Sequence, residues 1–354
     1  MDQVKHKAKI TVFHVAATYI GTVVGAGFAS GQEVLQFFGY FGLNGVWALM
    51  LTTALFVFFG WIILDLGMRL HATSHLPVIR HAGGKWVGTA VDYVITFFLF
   101  GALTAMAAGA GAIFSEQFGL PPILGNAVMV IAAVLTVMMG LGGVVTAISF
   151  VVPVLLAAVV GISLWTLFSA PLNLTAAAAL PGKAAVPFWP LSAVVYVSYN
   201  IVMAVAVLAP MGARVEARET LKRGAIFGGI GLGIGALAIL LALLANLPQA
   251  ARYQIPMVYI AGRFAPAVQY IYSLVLFAEI YTTAVGNLYG FVARVTDVEV
   301  PKARLYIIGI GIAAFLASQL GFTTLVRVLY PSVGYAGLLL LGGLLYGLVR
   351  ERRA

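Results

Sequence analysis

The stretch Thr22-Val23-Val24-Gly25-Ala26-Gly27-Phe28-Ala29-Ser30-Gly31-Gln32-Glu33 decides how this chain folds. It lies inside an apolar run at 11–42, too long for one plain bilayer crossing, which takes about 20 residues. The glycines admit two readings: close helix–helix contact, or a helix that stops. Ser30-x-x-Glu33 has the spacing of a capping box, which starts a helix. Together they predict a helix that ends near Val24 and Gly25, unwinds, and begins again at Ser30. Each bare peptide group in lipid costs several kcal/mol, so unwound backbone at this depth is expected to line a cavity. The restarting N-terminus suits an anion such as a carboxylate. Carbonyls exposed before the break suit a cation.

Around this stretch the chain of 354 residues is 62% hydrophobic and only 9% charged. A soluble domain carries roughly a quarter charged residues, so the expected solvent is lipid. Ten spans are predicted, at 11–42, 45–69, 88–116, 123–140, 144–168, 190–211, 224–246, 267–293, 304–319 and 322–349. The class is an all-α integral membrane protein with one transmembrane domain over 1–354 and no room for a soluble one. The outer loops at 169–189 and 246–266 are the long ones, and the second is expected to hold an amphipathic helix over an entrance. The N-terminal run has no A-x-A-like cleavage site and is expected to stay as a helix.

The net charge of +9 reads as topology. With the N-terminus inside, Lys5, Lys7, Lys9, Arg69, Arg80, Lys85, Arg214, Arg218, Lys222, Arg223, Arg294, Lys302, Arg304, Arg350, Arg352 and Arg353 are cytoplasmic, and Lys183, Arg252, Arg263 and Arg327 are outside. That is 16 against 4, all 20 basic residues, and the bias places both termini in the cytoplasm. No basic groove with interleaved aromatics occurs, so nucleic acid is set aside. Cysteine is absent, which excludes disulfides, thiolate metal sites and a cysteine nucleophile.

Ten spans divide into five plus five, about 11–168 and 190–349, and an odd number per half inverts the second against the first. The first span of each half is where interruptions belong. In the sixth span the one polar cluster is Ser198-Tyr199-Asn200; it either breaks the helix or packs between helices, and its mirror position favours a break. Ionisable residues inside a membrane are functional candidates by default. Glu33 serves a cap, a site, or both. Glu279 has no local capping role, and its burial would suit it to carry a proton. Thr282 and Thr283 either ligate a hard cation or bond back to their own helix. Asp65 and Arg69 are spaced for a structural ion pair. His14 lies in the first half-helix, and nothing has metal-ligand spacing.

The stretch from Thr22 to Glu33 resembles the signature of the YkvI-like bacterial membrane proteins of the amino acid–polyamine–cation (APC) transporter superfamily. The rest of the chain matches in length, span count and orientation. The resemblance implies the LeuT-type fold, two inverted five-helix repeats with discontinuous first and sixth helices, in the bacterial cell membrane. It also implies a substrate site between the two broken helices, on Gly25, Ala26, Gly27, Ser30, Gly31, Glu33, Tyr199, Asn200 and Glu279. A coupling sodium ion would take the Val24 and Gly25 carbonyls with the Thr282 and Thr283 hydroxyls. Some proton-coupled relatives use a fifth-helix lysine instead, which this chain lacks, leaving sodium or a proton on Glu33 or Glu279.

The expected function is secondary active transport of a small solute, an amino acid or related compound, by alternating access, with no cofactor beyond the coupling ion and no partner beyond lipid and solute. A solute sensor that binds without moving its ligand is the alternative, though no signalling domain accompanies it. An enzyme would need a nucleophile–base pair or metal cluster within the membrane, and the sequence shows none.

Overall fold

The computed structural model describes residues 10–139, 157–169 and 184–353 apart from 297 and 299. The first half of the predicted fifth span and most of the first outer loop lie outside these residues. Among the described residues every regular element is helical: α1 (Val12–Val23), α2 (Ala26–Ala29), α3 (Gln32–Phe37), α4 (Leu43–Arg69), α5 (Leu76–Phe118), α6 (Pro122–Met138), α7 (Ala157–Ser169), α8 (Trp189–Gly212), α9 (Arg218–Asn246), α10 (Pro256–Gly262), α11 (Pro266–Val295), α12 (Ala303–Ser318) and α13 (Phe322–Arg353). Six of them, α4, α5, α8, α9, α11 and α13, are long and apolar enough to cross a membrane.

Local chemistry sets the ends. Proline stands in the first two positions of α5, α6, α8, α10 and α11, where its missing N–H costs no helical bond. Thr11 and His14 form a reciprocal capping box on α1, which accounts for His14. Helix α5 starts at Leu76, about three turns before the predicted span at 88–116, and bends at Gly84 (φ 73°, ψ −173°).

Helix α8 corrects the sequence reading. It runs unbroken from Trp189 to Gly212, so the expected interruption at Ser198-Tyr199-Asn200 does not occur. Asn200 Nδ2 donates to the Tyr196 carbonyl one turn back, 2.9 Å away, so Asn200 is absorbed by its own helix. No glycine or proline stands between Pro190 and Pro210 to end it.

Around α8 pack α4, α13 and α1, while α9 packs on α1 and α4, and α5 on α11, α13 and α6. The α4–α8 crossing is a backbone contact. A Cβ at Gly67 would overlap the Ala209 carbonyl, and one at Gly212 the Leu64 carbonyl. Tyr19 on α1 donates to the Phe56 carbonyl of α4 at 2.8 Å.

Polar side chains join the helix ends. At one end Arg218 takes both oxygens of Asp65, at 2.5 and 3.0 Å, and lies over the Trp61 ring. The expected Asp65–Arg69 pair is there at 3.7 Å but is the lesser contact. At the same end Arg294 meets Asp92 (2.7 Å) and Thr96 (3.1 Å), with His75 3.0 Å from Asp92. At the other end Glu116 accepts from the backbone of Gln254 (2.6 Å) and Ile255 (3.3 Å), and Arg263 donates to Asn246 at 2.7 Å.

Gly212→Val is expected to destabilise the folded protein by about 1–3 kcal/mol through overpacking. Thermal unfolding of the purified protein measures it; an unchanged midpoint would contradict the close α4–α8 crossing.

Candidate functional site

The break in the first span is real, and it is double. Val24 (φ −73°, ψ 111°) and Gly25 (φ −129°, ψ −174°) are extended, and the Val24 N–H closes the final α1 bond onto Ile20 at 2.8 Å. One helical turn follows, α2, closed by Ala29 N–H to Gly25 O (3.0 Å) and Ser30 N–H to Ala26 O (2.8 Å). Gly31 then takes a left-handed conformation (φ 78°), and α3 starts beyond it. Glycine adopts that conformation without the steric cost of a Cβ.

The predicted capping box at Ser30 and Glu33 does not form. Ser30 has helical dihedrals (φ −63°, ψ −19°) rather than the extended backbone of a cap, and Gly31 is the residue before α3. The Ser30 hydroxyl instead donates to Gly27 O at 2.7 Å and accepts from Gln32 N–H at 3.2 Å.

Neighbouring segments satisfy part of the backbone that the breaks release. Met257 N–H on α10 donates to Ser30 O at 3.0 Å, and the Tyr272 hydroxyl on α11 to Ala29 O at 2.6 Å. Ser192 Oγ on α8 donates to Phe37 O at 2.7 Å, and Ala185 N–H to Gln36 O at 3.1 Å. The expected helix in the second outer loop is therefore α10. It is a mostly buried helix hooked onto the break, not an amphipathic one on the surface.

Freed from capping, Glu33 turns inward. It is 5% exposed, and its Oε2 accepts a 2.5 Å hydrogen bond from the Tyr199 hydroxyl of α8. Its other oxygen lies against Gly27, where a Cβ would overlap it. The Tyr199 ring sits among Tyr330, Tyr196, Phe37 and Phe98, with centroids 5.2, 5.3, 5.7 and 6.0 Å away.

The structure thus joins Gly27, Ser30, Gly31, Glu33 and Tyr199 in one buried place, while Asn200 is occupied on its own helix. Glu279, 3% exposed, lies on α11, which packs against α2. Thr283 Oγ1 reaches one Glu279 oxygen at 3.4 Å, and the other has no partner among the described residues. Thr282 Oγ1 donates to Glu279 O at 3.0 Å, the back-bonded alternative. The Gly25 carbonyl accepts from Ala29, and the Val24 carbonyl lies past the last α1 bond.

Several participants were not read from sequence. Tyr196, one turn before Tyr199, and Gln32 and Gln36, one turn apart on α3, carried a legible spacing. Tyr330, Tyr272 and Met257 carried none, since only the fold brings them to the break.

No family model matches the chain. It is 32% identical over 361 residues to the membrane protein YkvI of Bacillus subtilis (strain 168), covering 100% of both chains. The chain belongs to the YkvI family. A second similar protein is YyaD of the same organism, 29% identical, with 91% of this chain and 92% of YyaD covered. Among solved structures the YkvI-family chain resembles MhsT in complex with L-phenylalanine (TM-score 0.60, 18% identity, 93% of this chain and 86% of that one). It also resembles a Na+-coupled sialic acid symporter (0.60, 13%, 88% and 74%) and Mhp1 of the nucleobase-cation-symport-1 family (0.57, 15%, 98% and 80%). It shares the fold of these transporters, the LeuT-type fold that the family resemblance implies.

The three glycines of this YkvI-family motif separate in their demands. Gly25→Ala meets nothing within 4 Å at a conformation open to alanine and is expected to leave stability unchanged. Gly31→Ala is expected to cost about 1–2 kcal/mol from its left-handed φ alone. Gly27→Ala is expected to push Glu33 off Tyr199, leaving a buried polar group unpaired at about 1–3 kcal/mol. Thermal unfolding of the three variants checks the order, and equal stability of Gly25→Ala and Gly27→Ala would contradict the Glu33 placement.

Proposed function

We propose that this chain is a secondary active transporter that moves a small solute, an amino acid or a related compound, by alternating access, coupled to sodium or protons. The observation that carries the proposal is the Glu33–Tyr199 bond. It joins a doubly broken helix to an intact neighbour at a buried, glycine-lined place. Interrupted backbone inside a membrane is tolerated where protein or a cavity surrounds it, and in this fold such places hold solute and ion.

The proposed architecture is ten spans in two inverted halves, about 11–168 and 190–349, with both termini cytoplasmic. Gly25, Ala26, Gly27, Ser30, Gly31, Glu33 and Tyr199 face the solute. Glu279, with Thr282, Thr283 and the Val24 carbonyl, handles the coupling ion. Supporting it are the fold shared with transporters whose names carry L-phenylalanine, sodium coupling and cation symport, and the packing of α2 on α11. The burial of Glu33 and Tyr199 supports reading the described form as one closed around the site. Opening to either side separates helices that now meet there.

In sealed vesicles holding the purified protein, uptake of the carried solute is expected to depend on a sodium or pH gradient. Tyr199→Phe is expected to lower the rate by about tenfold or more, the size of one hydrogen bond to a charged group. Gradient-independent behaviour for every amino acid and related solute tried would overturn the proposal.

A further inference from the structure

We infer that the cavity between the ends of α4, α9 and α13 is a binding site for an anionic phospholipid, its phosphate held by Arg218 and its acyl chains lying along α4 and α13. The inference needs the chain in a bilayer and does not need the carrier proposal.

The place comes first. Helix α4 ends at Arg69, α9 starts at Arg218, and α13 runs out at Arg353. All three are long and apolar enough to cross a membrane, so a cavity between these ends lies at headgroup depth. It holds about 260 Å3, and its lining is of two kinds. Asp65, Arg69 and Arg218 are charged, while Trp61, Leu344 and Leu348 are apolar. A phospholipid divides in the same way.

Arg218 is set up to receive the phosphate. A long exposed side chain ordinarily keeps much rotamer freedom, yet this one is held. Its Nε and Nη2 are spent on the two oxygens of Asp65, and its guanidinium lies 5.4 Å over the Trp61 ring. The Asp65 side chain is only 9% exposed, whereas that of Arg218 is 61% exposed. The pair therefore aims the arginine without hiding it. Nη1 has no partner among the described residues. A guanidinium with an open edge makes charge-assisted hydrogen bonds to phosphate oxygens. Arg69 brings a second guanidinium to the lining, and Lys222, one turn along α9 from Arg218, is exposed.

The apolar surface decides between a lipid and a free phosphate. Phe58 stands one turn before Trp61, and Leu345 one turn before Leu348, each toward the middle of its helix; both are exposed. Residues three apart share a helix face. Apolar surface thus runs on from the cavity into the hydrocarbon, where an acyl chain meets it and a hydrated ion does not. A zwitterionic head would bring its own ammonium against the arginines. A head with one net negative charge brings none.

The chain has no cysteine, so a fluorophore is placed by Leu345→Cys, beside the site and outside the Asp65–Arg218 pair. A second is placed by Ile312→Cys, on the exposed face of α12. The full-length labelled protein is reconstituted in phosphatidylcholine vesicles that contain brominated phosphatidylglycerol or brominated phosphatidylcholine, and quenching is measured. Phosphatidylglycerol is expected to quench Leu345→Cys with an apparent affinity about fivefold or more above phosphatidylcholine, the preference that one basic residue gives. The two lipids are expected to quench Ile312→Cys alike. Adding Arg218→Gln is expected to remove the preference, Arg218→Lys to keep part of it, and Arg304→Gln, on α12, to leave it intact. Gly347→Leu fills the cavity with both charges in place, since a Cβ there makes ordinary contact with Ala82 at 3.6 Å; it too is expected to lose the preference, and it serves if Arg218→Gln does not fold. Equal quenching by the two lipids at Leu345→Cys, the same preference at Ile312→Cys, or a preference that survives Arg218→Gln or Gly347→Leu would each overturn the inference. So would displacement of the brominated phosphatidylglycerol by inorganic phosphate at equal concentration, which would make the site one for the free ion.

Discussion

A peptide group released from its helix inside lipid has to be paired by something else, and much of this structure answers that demand. Between Val24 and Gly31 the first span gives up its regular bonding twice. Tyr272 on α11, Met257 on α10 and the hydroxyl of Ser30 take over the carbonyls of Ala29, Ser30 and Gly27. Past the break, Ser192 and Ala185 cover the end of α3. The turn between the two interruptions is thereby held from several elements, and Glu33 is placed just beyond it.

The two buried acids show how position separates roles. Glu33 ends on a helix of six residues, so its side chain reaches across to α8 and meets a phenol. Glu279 sits in mid-span on a continuous helix of thirty residues, and its contacts are threonines one turn or less away. One acid is tied to a neighbouring element, the other only to its own. A ligand or ion at Glu33 would therefore be sensed by two helices at once, whereas one at Glu279 is sensed first by α11.

How much of this was legible depends on how local each feature is. Gly25 announced the first interruption, since glycine is a residue that ends a helix; the second, at the left-handed Gly31, was read instead as a restart at Ser30. Glu33 and Tyr199 were both legible as candidates, being polar in apolar surroundings, though their bond to each other was not. The span positions followed from hydropathy, to within a few residues for α4, α6, α8, α11 and α12. The error at α8 came from extending a symmetry argument to a segment with no helix-ending residue: Asn200 bonds to Tyr196 as readily as it caps. Ser30-x-x-Glu33 misled for a related reason, because its spacing matched a cap while the dihedral angles, set by Gly31, did not. The aromatic surround from α3, α5 and α13 was hidden because no local pattern links Phe37, Phe98 and Tyr330.

The glycine-mediated crossing of α4 and α8 carries a mechanical consequence. Carbonyls of each helix lie directly on glycines of the other, Leu64 over Gly212 and Ala209 over Gly67, with no compliant side chain between them. Sliding one past the other would drive oxygen into carbon, so the pair behaves as a single strut. Tyr199 rides on that strut. Whatever loosens its grip on Glu33 has to come from the other member, pivoting at the two joints, Gly25 and Gly31, that already interrupt the first span.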